Sequence, residues 1–351
     1  MASRRHQRSR QVRLRRTIAV AAVAVVVAIA IGFAVTSVGH HRGVADSCQV
    51  VGESTGAIYR MVPDQLANAS TIADLAMRRG LPQQAVVVAL ATSMQESKLT
   101  NLDYGDRDSI GLFQQRPSQG WGSKEQLIVP IYATGKFYDA LLKVVSWQSL
   151  PVAAAAQAVQ RSGFPDAYAS WQPRATALAA ALTGTTDLRL TCRLAHPGVA
   201  RAPHATATRD TKSVPDGGSG TDGGASTGST AASASAGAAS AQAGSVATTV
   251  SALTAALAAD IDVRSPAVVS HGTKSATITI SGLTAGTAAS AFNSAAKHHT
   301  GTVTAWALAH APAGITSVIV GDQEWRPDRD GWQHTADVAA AGTVVMTIAL
   351  G

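Results

Sequence analysis

The stretch "ATSMQESKLTNLDYGDRDSIGLFQQRPSQGWG", residues 91–122, closes an apolar, helix-like run on MQES and crosses a loop holding Asp103, Asp106 and Asp108 before GLFQQRP. Just upstream, "LPQQAVVVALATSMQES" sets Pro82 at a first-turn position, and "STIADLAMRRG" offers Ser70 as an N-cap and Gly80 as a C-terminal stop. Downstream, "PIYATGKFYDALLKVV" repeats Ile131, Phe137, Leu141 and Val145 at helical spacing, and another helix starts near Pro151. A last helical stretch, "PDAYASWQPRATALAAALTG", contains Pro173, which is expected to kink or split it. These signals predict a compact, mostly α domain over residues 48–192.

The whole chain, 351 residues with 46% hydrophobic content, has room for two domains. Its net charge of +7 would suggest nucleic acid or a membrane surface, but the charge is confined to one end. Residues 1–47 hold eight Arg against one Asp, while residues 48–192 hold 12 basic and 11 acidic side chains. The nucleic-acid reading therefore loses its main support. Residues 1–16 form a basic arm, and residues 17–39 are 23 positions without a charge. As a helix this run would extend roughly 34 Å, enough for a hydrocarbon core of about 30 Å. The expectation is a transmembrane helix with a cytoplasmic N-terminus and everything after it outside. A cleaved signal peptide is the alternative, and it too exports the remainder.

Export permits a disulfide between Cys48 and Cys192, the chain's two cysteines, which are 144 positions apart. Two free thiols are the other reading, and two cysteines alone suggest no metal site. Residues 196–244 are rich in Gly, Ser and Ala, too poor in bulky apolar side chains to offset ordering entropy, and read as a flexible linker. Residues 247–351 read as a small α+β domain of unknown role. In it "TTVSALTAALAADID" and "TAGTAASAFNSAAKH" are helix-like, whereas "SATITI", "TVTAWALAHA", "ITSVIVGDQEWR" and "GTVVMTIAL" are strand-like. Asp330 and Gly331 in "WRPDRDGW" suit a tight hairpin turn.

If the second helix runs from Pro82 to about Ser97, Glu96 lies in its last turn, where the helix dipole does not help its charge. The apolar positions Val87, Leu90, Ala91 and Met94 lead toward it. A carboxyl against such a face has its ionised form disfavoured, which suits a general acid at neutral pH. Glycosidases use a protonated carboxyl in this way, donating to the leaving oxygen of a sugar bond. A solvated surface Glu is the alternative for a lone Glu-Ser pair.

The pair is not alone. "ES" at Glu96 and Ser97, with "GLFQ" beginning 15 positions after Glu96 at Gly111 and ending at Gln114, resembles the Glu-Ser and Gly-Leu-Met-Gln motifs of the soluble lytic transglycosylases, relatives of goose-type lysozymes. The resemblance spans about residues 70–183 and implies a lysozyme-like fold. It implies Glu96 as sole catalytic acid and base, Ser97 as a supporting hydroxyl, and Gly111 and Gln114 as parts of the cleft. Phe113 replaces the family's Met. The family's later Asn and Tyr motifs are less well matched: Tyr168 in "PDAYASW" corresponds to the Tyr, "AYN" is absent, and Gln160 in "AVQRSG" is the substitute for the Asn. The implied reaction cuts the bond between N-acetylmuramic acid and N-acetylglucosamine in peptidoglycan, leaves 1,6-anhydro ends and uses no cofactor.

Two alternatives stay open. A lysozyme-type hydrolase would need a second carboxylate to position water, for which Asp103, Asp106 and Asp108 are the candidates. Otherwise these three cap a polar turn or bind a metal, although the run lacks the Gly and distal Glu of a calcium loop. A non-catalytic wall-binding or assembly protein would keep the cleft without turnover. Trp121, Trp147, Trp171, Tyr104 and Tyr132 are candidates to line a sugar cleft or to fill the core. Lys297 to His299, with His310, read as solvated rather than as metal ligands. Trp325 and Trp332 flank the hairpin and are expected to pack across it, an exposed pair suggesting wall binding instead. The expected partners are glycan strands, the membrane through the N-terminal helix, and an envelope protein through the C-terminal domain.

Overall fold

The computed structural model describes residues 46–53, 55–162, 165–184, 189–195, 245–263, 266–271, 274–283 and 300–349. The first helix, α1 (Pro63–Arg78), starts earlier than the Ser70 signal suggested. Pro63 presets φ in the first turn, and Gln65 Oε1 accepts the Val62 N–H at 3.0 Å. Ser70 therefore lies inside the helix, fully buried, and donates to the Ala67 carbonyl at 2.7 Å.

Helix α2 (Gln83–Ser97) is buried on every side from Ala85 to Met94. It stops without glycine: Lys98 and Leu99 take φ values of 58° and 59°. Each such left-handed residue costs on the order of 1–2 kcal/mol. Two side chains of α1 hold this ending, because Gln65 Nε2 donates to the Lys98 carbonyl at 2.6 Å and Asn68 Nδ2 to that of Leu99 at 2.9 Å. The end of α2, and Glu96 with it, is thereby tied to its neighbour.

The short α3 (Lys124–Leu127) and α4 (Pro130–Leu141) follow. Because α4 ends at Leu141, Val145 leaves the expected face and is 86% exposed. Phe137 of α4 stacks on Phe113, ring centroids 4.6 Å apart, bracing the GLFQ segment from below. Next come α5 (Val152–Gln160), a 3-10 turn (Pro165–Trp171) and α6 (Gln172–Thr183). The split expected at Pro173 falls where the 3-10 turn gives way to α6, with the proline in the helix's first turn.

The structure departs from the plan of a mostly α lysozyme-like domain with a transmembrane helix and a small C-terminal α+β domain. About half of the described residues are helical, and they carry two antiparallel sheets. One sheet belongs to the region read as all-α. Strand β1 (Ser47–Val51) pairs with β2 (Ile58–Met61) on one side and β3 (Leu190–Arg193) on the other. Strands of four and five residues leave little periodic signal, and β3 lies far along the chain from the other two. Among the described residues no helix is long and apolar enough to cross a membrane. The basic arm 1–16, the proposed span 17–39 and the linker 196–244 lie outside the described residues.

The disulfide joins Cys48 and Cys192, which face one another in the β1–β3 register. After it come α7 (Val246–Ile261), β4 (Ala267–His271), β5 (Ser275–Ile280), α8 (Thr300–Ala309), β6 (Ile315–Val320), β7 (Gln323–Trp325), β8 (Trp332–His334) and β9 (Val344–Ala349). The six strands form an antiparallel sheet in the order β4-β5-β9-β6-β7-β8. The hairpin at "WRPDRDGW" forms, with Trp325 opposite Trp332, but the connection is the six-residue loop 326–331 rather than the tight turn expected, and Gly331 takes φ 71° at its end.

"TVTAWALAHA", read as a strand, is helical as α8. Its residues are buried all round from Thr302 to Ala309, so neither a period of two nor one of 3.6 stands out. It packs against α1, α6 and the sheet, and its start comes so close to α6 that a Cβ on Gly301 would sit 2.5 Å from the Leu182 carbonyl. The helix-like 284–299 segment and the Lys297 to His299 cluster lie outside the described residues.

One continuous apolar core runs through both parts of the chain. Trp325, fully buried, donates its indole N–H to the Cys192 carbonyl at 3.0 Å, and Trp332 donates to that of Leu190 at 2.8 Å. The tryptophan pair thus clamps β3. Arg78 of α1 bridges Asp74 at 2.7 Å and Asp262, just after α7, at 3.1 Å. His310 is buried and stacked on Trp306, with Nε2 3.4 Å from Asp260.

Candidate active site

Glu96 sits in the last turn of α2, where the chain has just emerged from the core, and is half-buried. The hydroxyl of Tyr168, from the 3-10 turn before α6, donates to Glu96 Oε1 at 2.7 Å. Gln160, the last residue of α5, also hydrogen-bonds the Glu96 carboxyl, and its Nε2 donates to the Phe113 carbonyl at 2.9 Å. Burial pushes the Glu96 carboxyl above its ordinary value; the Tyr168 and Gln160 donors and the charge of Lys98 offset only part of that rise. Burial, and the carboxyl it faces, push the Tyr168 phenol well above the usual range, so it remains a donor. Such an acid keeps its proton to a higher pH than an ordinary carboxyl and is hydrogen-bonded by two neutral groups.

Ser97 is turned away from Glu96 into the protein, 5% exposed. Its Oγ lies 2.7 Å from the Leu112 carbonyl and 3.1 Å from that of Ser93, while Ser93 Oγ donates to the same Leu112 oxygen at 3.1 Å. The Glu-Ser pair is therefore divided: Glu96 lies half-buried against Tyr168 and Gln160, and Ser97 fastens GLFQ to α2. Gly111 needs to be glycine, because its φ is 78° and a Cβ would lie 2.5 Å from the Leu127 carbonyl. Gln114 takes φ 48° and folds its amide onto the Tyr104 and Gly111 carbonyls at 3.3 and 3.2 Å. Its neighbour Gln115, which sequence reasoning passed over, is buried and donates to the Ala133 carbonyl at 3.2 Å, linking the segment to α4. Only its adjacency to GLFQ could have singled it out.

The three loop aspartates separate. Asp108 Oδ1 accepts from Arg116 Nε at 2.7 Å and Ser118 Oγ at 3.0 Å, and its Oδ2 accepts from Ser118 N at 2.7 Å. The Arg116 guanidinium and the Ser118 donors hold this carboxyl far below the usual range. It braces the loop. Asp103 and Asp106 are exposed, and among the described residues no group of three His, Cys, Asp or Glu side chains could hold a metal ion.

Of the aromatic candidates, Trp147 is core, Trp121 is half-buried against the core, and Tyr104 is 69% exposed. Tyr132 bonds Gln126 Oε1 at 3.2 Å. Trp171 bonds the residue before Glu96: its indole N–H donates to Gln95 Oε1 at 2.8 Å, and Lys98 Nζ lies 4.5 Å from its ring centroid. The structure thus gathers Glu96, Gln160 and Tyr168 directly. Ser97 and Gly111 act through the backbone that frames them. In comparisons with known proteins, no family model matches the chain and no curated protein gives a significant match.

Proposed function

We propose that the protein cleaves peptidoglycan between N-acetylmuramic acid and N-acetylglucosamine as a lytic transglycosylase. The observation that carries the reading is the half-buried Glu96 carboxyl, raised by burial and held by the Tyr168 hydroxyl at 2.7 Å. In the first step Glu96 donates its proton to the glycosidic oxygen, the C1–O bond breaks, and positive charge develops at C1 and the ring oxygen. The carboxylate left behind is stabilised by the donors from Tyr168 and Gln160. It then takes the proton of the muramic acid C6 hydroxyl, whose oxygen bonds to C1. The proton returns to Glu96, the 1,6-anhydro ring forms, and no water is consumed.

A second carboxylate is not required for this chemistry. That the best-held loop aspartate, Asp108, is committed to Arg116 and Ser118 favours it over a hydrolase that positions water with that residue. The Cys48–Cys192 disulfide fits work in an oxidising compartment outside the cytoplasm, where the substrate lies. Mass spectrometry of purified peptidoglycan digested by the protein, with Glu96→Gln in parallel, tests the proposal. Anhydro-muropeptides from the unmodified protein alone are expected. Reducing-end products would assign a muramidase, and glycan binding without any product would assign a wall-binding or assembly role.

A further inference from the structure

Three basic residues lie on linked elements beside Glu96: the charge of Lys98 acts on the Glu96 carboxyl, and among the described residues none of the three forms a salt bridge. Lys98, two residues after Glu96, is exposed, and its Nζ is seated over the Trp171 ring. Trp171 is itself fixed by its hydrogen bond to Gln95. Arg174, one turn further into α6, donates Nη2 to the Arg60 carbonyl, and its Nε is buried with no hydrogen-bond partner. The Arg60 side chain is exposed on β2. The end of β2 adjoins the end of α2, since Gln65 joins the Val62 N–H to the Lys98 carbonyl. These links run from Glu96 through Lys98 and Trp171 to Arg174 and Arg60. Residues 48–192 are almost neutral overall, with 12 basic and 11 acidic side chains.

Of the nine other described arginines, Arg78, Arg79, Arg116, Arg189, Arg193 and Arg326 each reach a carboxylate, and Arg107, Arg161 and Arg329 form no salt bridge among the described residues. A guanidinium that is partly buried without a counter-charge carries a desolvation cost that an incoming anion would relieve. We propose that Lys98, Arg174 and Arg60, with Trp171 as the platform for the lysine, recognise the carboxylates of an acidic peptide stem attached to the glycan. The patch makes the protein select strands bearing free-acid stems over bare or amidated ones. The inference rests on the peptidoglycan reading above and specifies its substrate.

The test is a calorimetric titration of the full chain with three soluble ligands. These are a disaccharide-peptide with free stem carboxylates, the same compound with those carboxylates amidated, and the disaccharide alone. At low salt the free-acid ligand is expected to bind about tenfold more tightly than the amidated one, the gap closing as salt screens the contacts. Lys98→Gln and Arg60→Gln should each weaken binding of the free acid about threefold, the size of a solvent-accessible ion pair, and leave the other two ligands unchanged. Both side chains are exposed, so these variants do not depend on repacking the core.

Equal affinity for the three ligands, or an equal loss for all three in the variants, overturns the inference. If strands are cleaved while the ligands bind alike, the acid recognition alone fails. If free-acid ligands are preferred and no strand is cut, the catalytic reading fails and the recognition stands. Absence of binding to all three removes both.

Discussion

The carbonyl of Leu112 offers a sharp perturbation, because a single buried acceptor holds the GLFQ segment to α2 through two serines. Ser97 Oγ lies 2.7 Å from it and Ser93 Oγ 3.1 Å, and Leu112 is fully buried. Removing one hydroxyl leaves the other in place, so Ser97→Ala should cost about 1 kcal/mol and the longer Ser93 contact about 0.5 kcal/mol, the net value of an intramolecular hydrogen bond. Removing both leaves a buried carbonyl without a donor, a state that costs about 1–3 kcal/mol. The double variant should therefore lose more than the two singles combined, with a coupling on the order of 1 kcal/mol. Urea or guanidinium denaturation of the four proteins at one pH measures it, with unchanged slopes showing that only stability moved.

Activity supplies the second half of the test. Ser97 touches the backbone of the segment and not Glu96, so Ser97→Ala should lower cleavage by no more than about tenfold, the equivalent of 1.4 kcal/mol. Additive stabilities would show that the serines do not share the carbonyl. A loss of activity beyond a thousandfold with stability intact would show that Ser97 takes part in the chemistry, refuting the division of labour described for the Glu-Ser pair.

Glu96→Gln should abolish cleavage and retain glycan binding. Because burial raises the Glu96 carboxyl in the folded protein, the active acid is present below that pKa, and cleavage should decline as pH rises through it. The same raised value means that the folded state holds this proton more tightly than the unfolded chain. Wild-type stability should therefore fall as pH rises through the folded pKa, and Glu96→Gln should remove that part of the pH dependence in thermal melts. Trp325→Phe keeps one aromatic ring but removes the indole donor to the Cys192 carbonyl and leaves a cavity at a fully buried site, and should cost at least about 1–3 kcal/mol by denaturation. Replacing Cys48 and Cys192 together by Ala opens a loop of 144 positions and should cost up to about 5 kcal/mol, seen as a large fall in Tm.

Much of the candidate site was legible because it is local in the chain. A proline start and an apolar run suffice to place Glu96 in the last turn of α2, and the short distance from Glu96 to Gly111 limits where the GLFQ segment can lie. Asp330 and Gly331 likewise betray their hairpin, since turn chemistry needs only neighbouring residues. Other features depend on what is brought together across the fold. Cys48 meets Cys192 only because β1 and β3 are adjacent strands, and strands that short carry no period of their own. The helix α8 is enclosed on all sides, which erases the one-sided pattern that would distinguish it from a strand.

The amino-acid sequence by itself determined the local elements and the place of the candidate acid: helix starts at prolines, a stop at glycine, a hairpin, and Glu96 at the end of an apolar helix. Tertiary structure alone decided that Gln160 and Tyr168 converge on that carboxyl, that Ser97 faces inward, that Asp108 braces a loop, and that Trp325 and Trp332 close over β3. The physical reason is the range of the forces. Backbone propensity and capping act within a few residues, whereas burial, charge and hydrogen-bond satisfaction depend on groups that folding brings from distant positions.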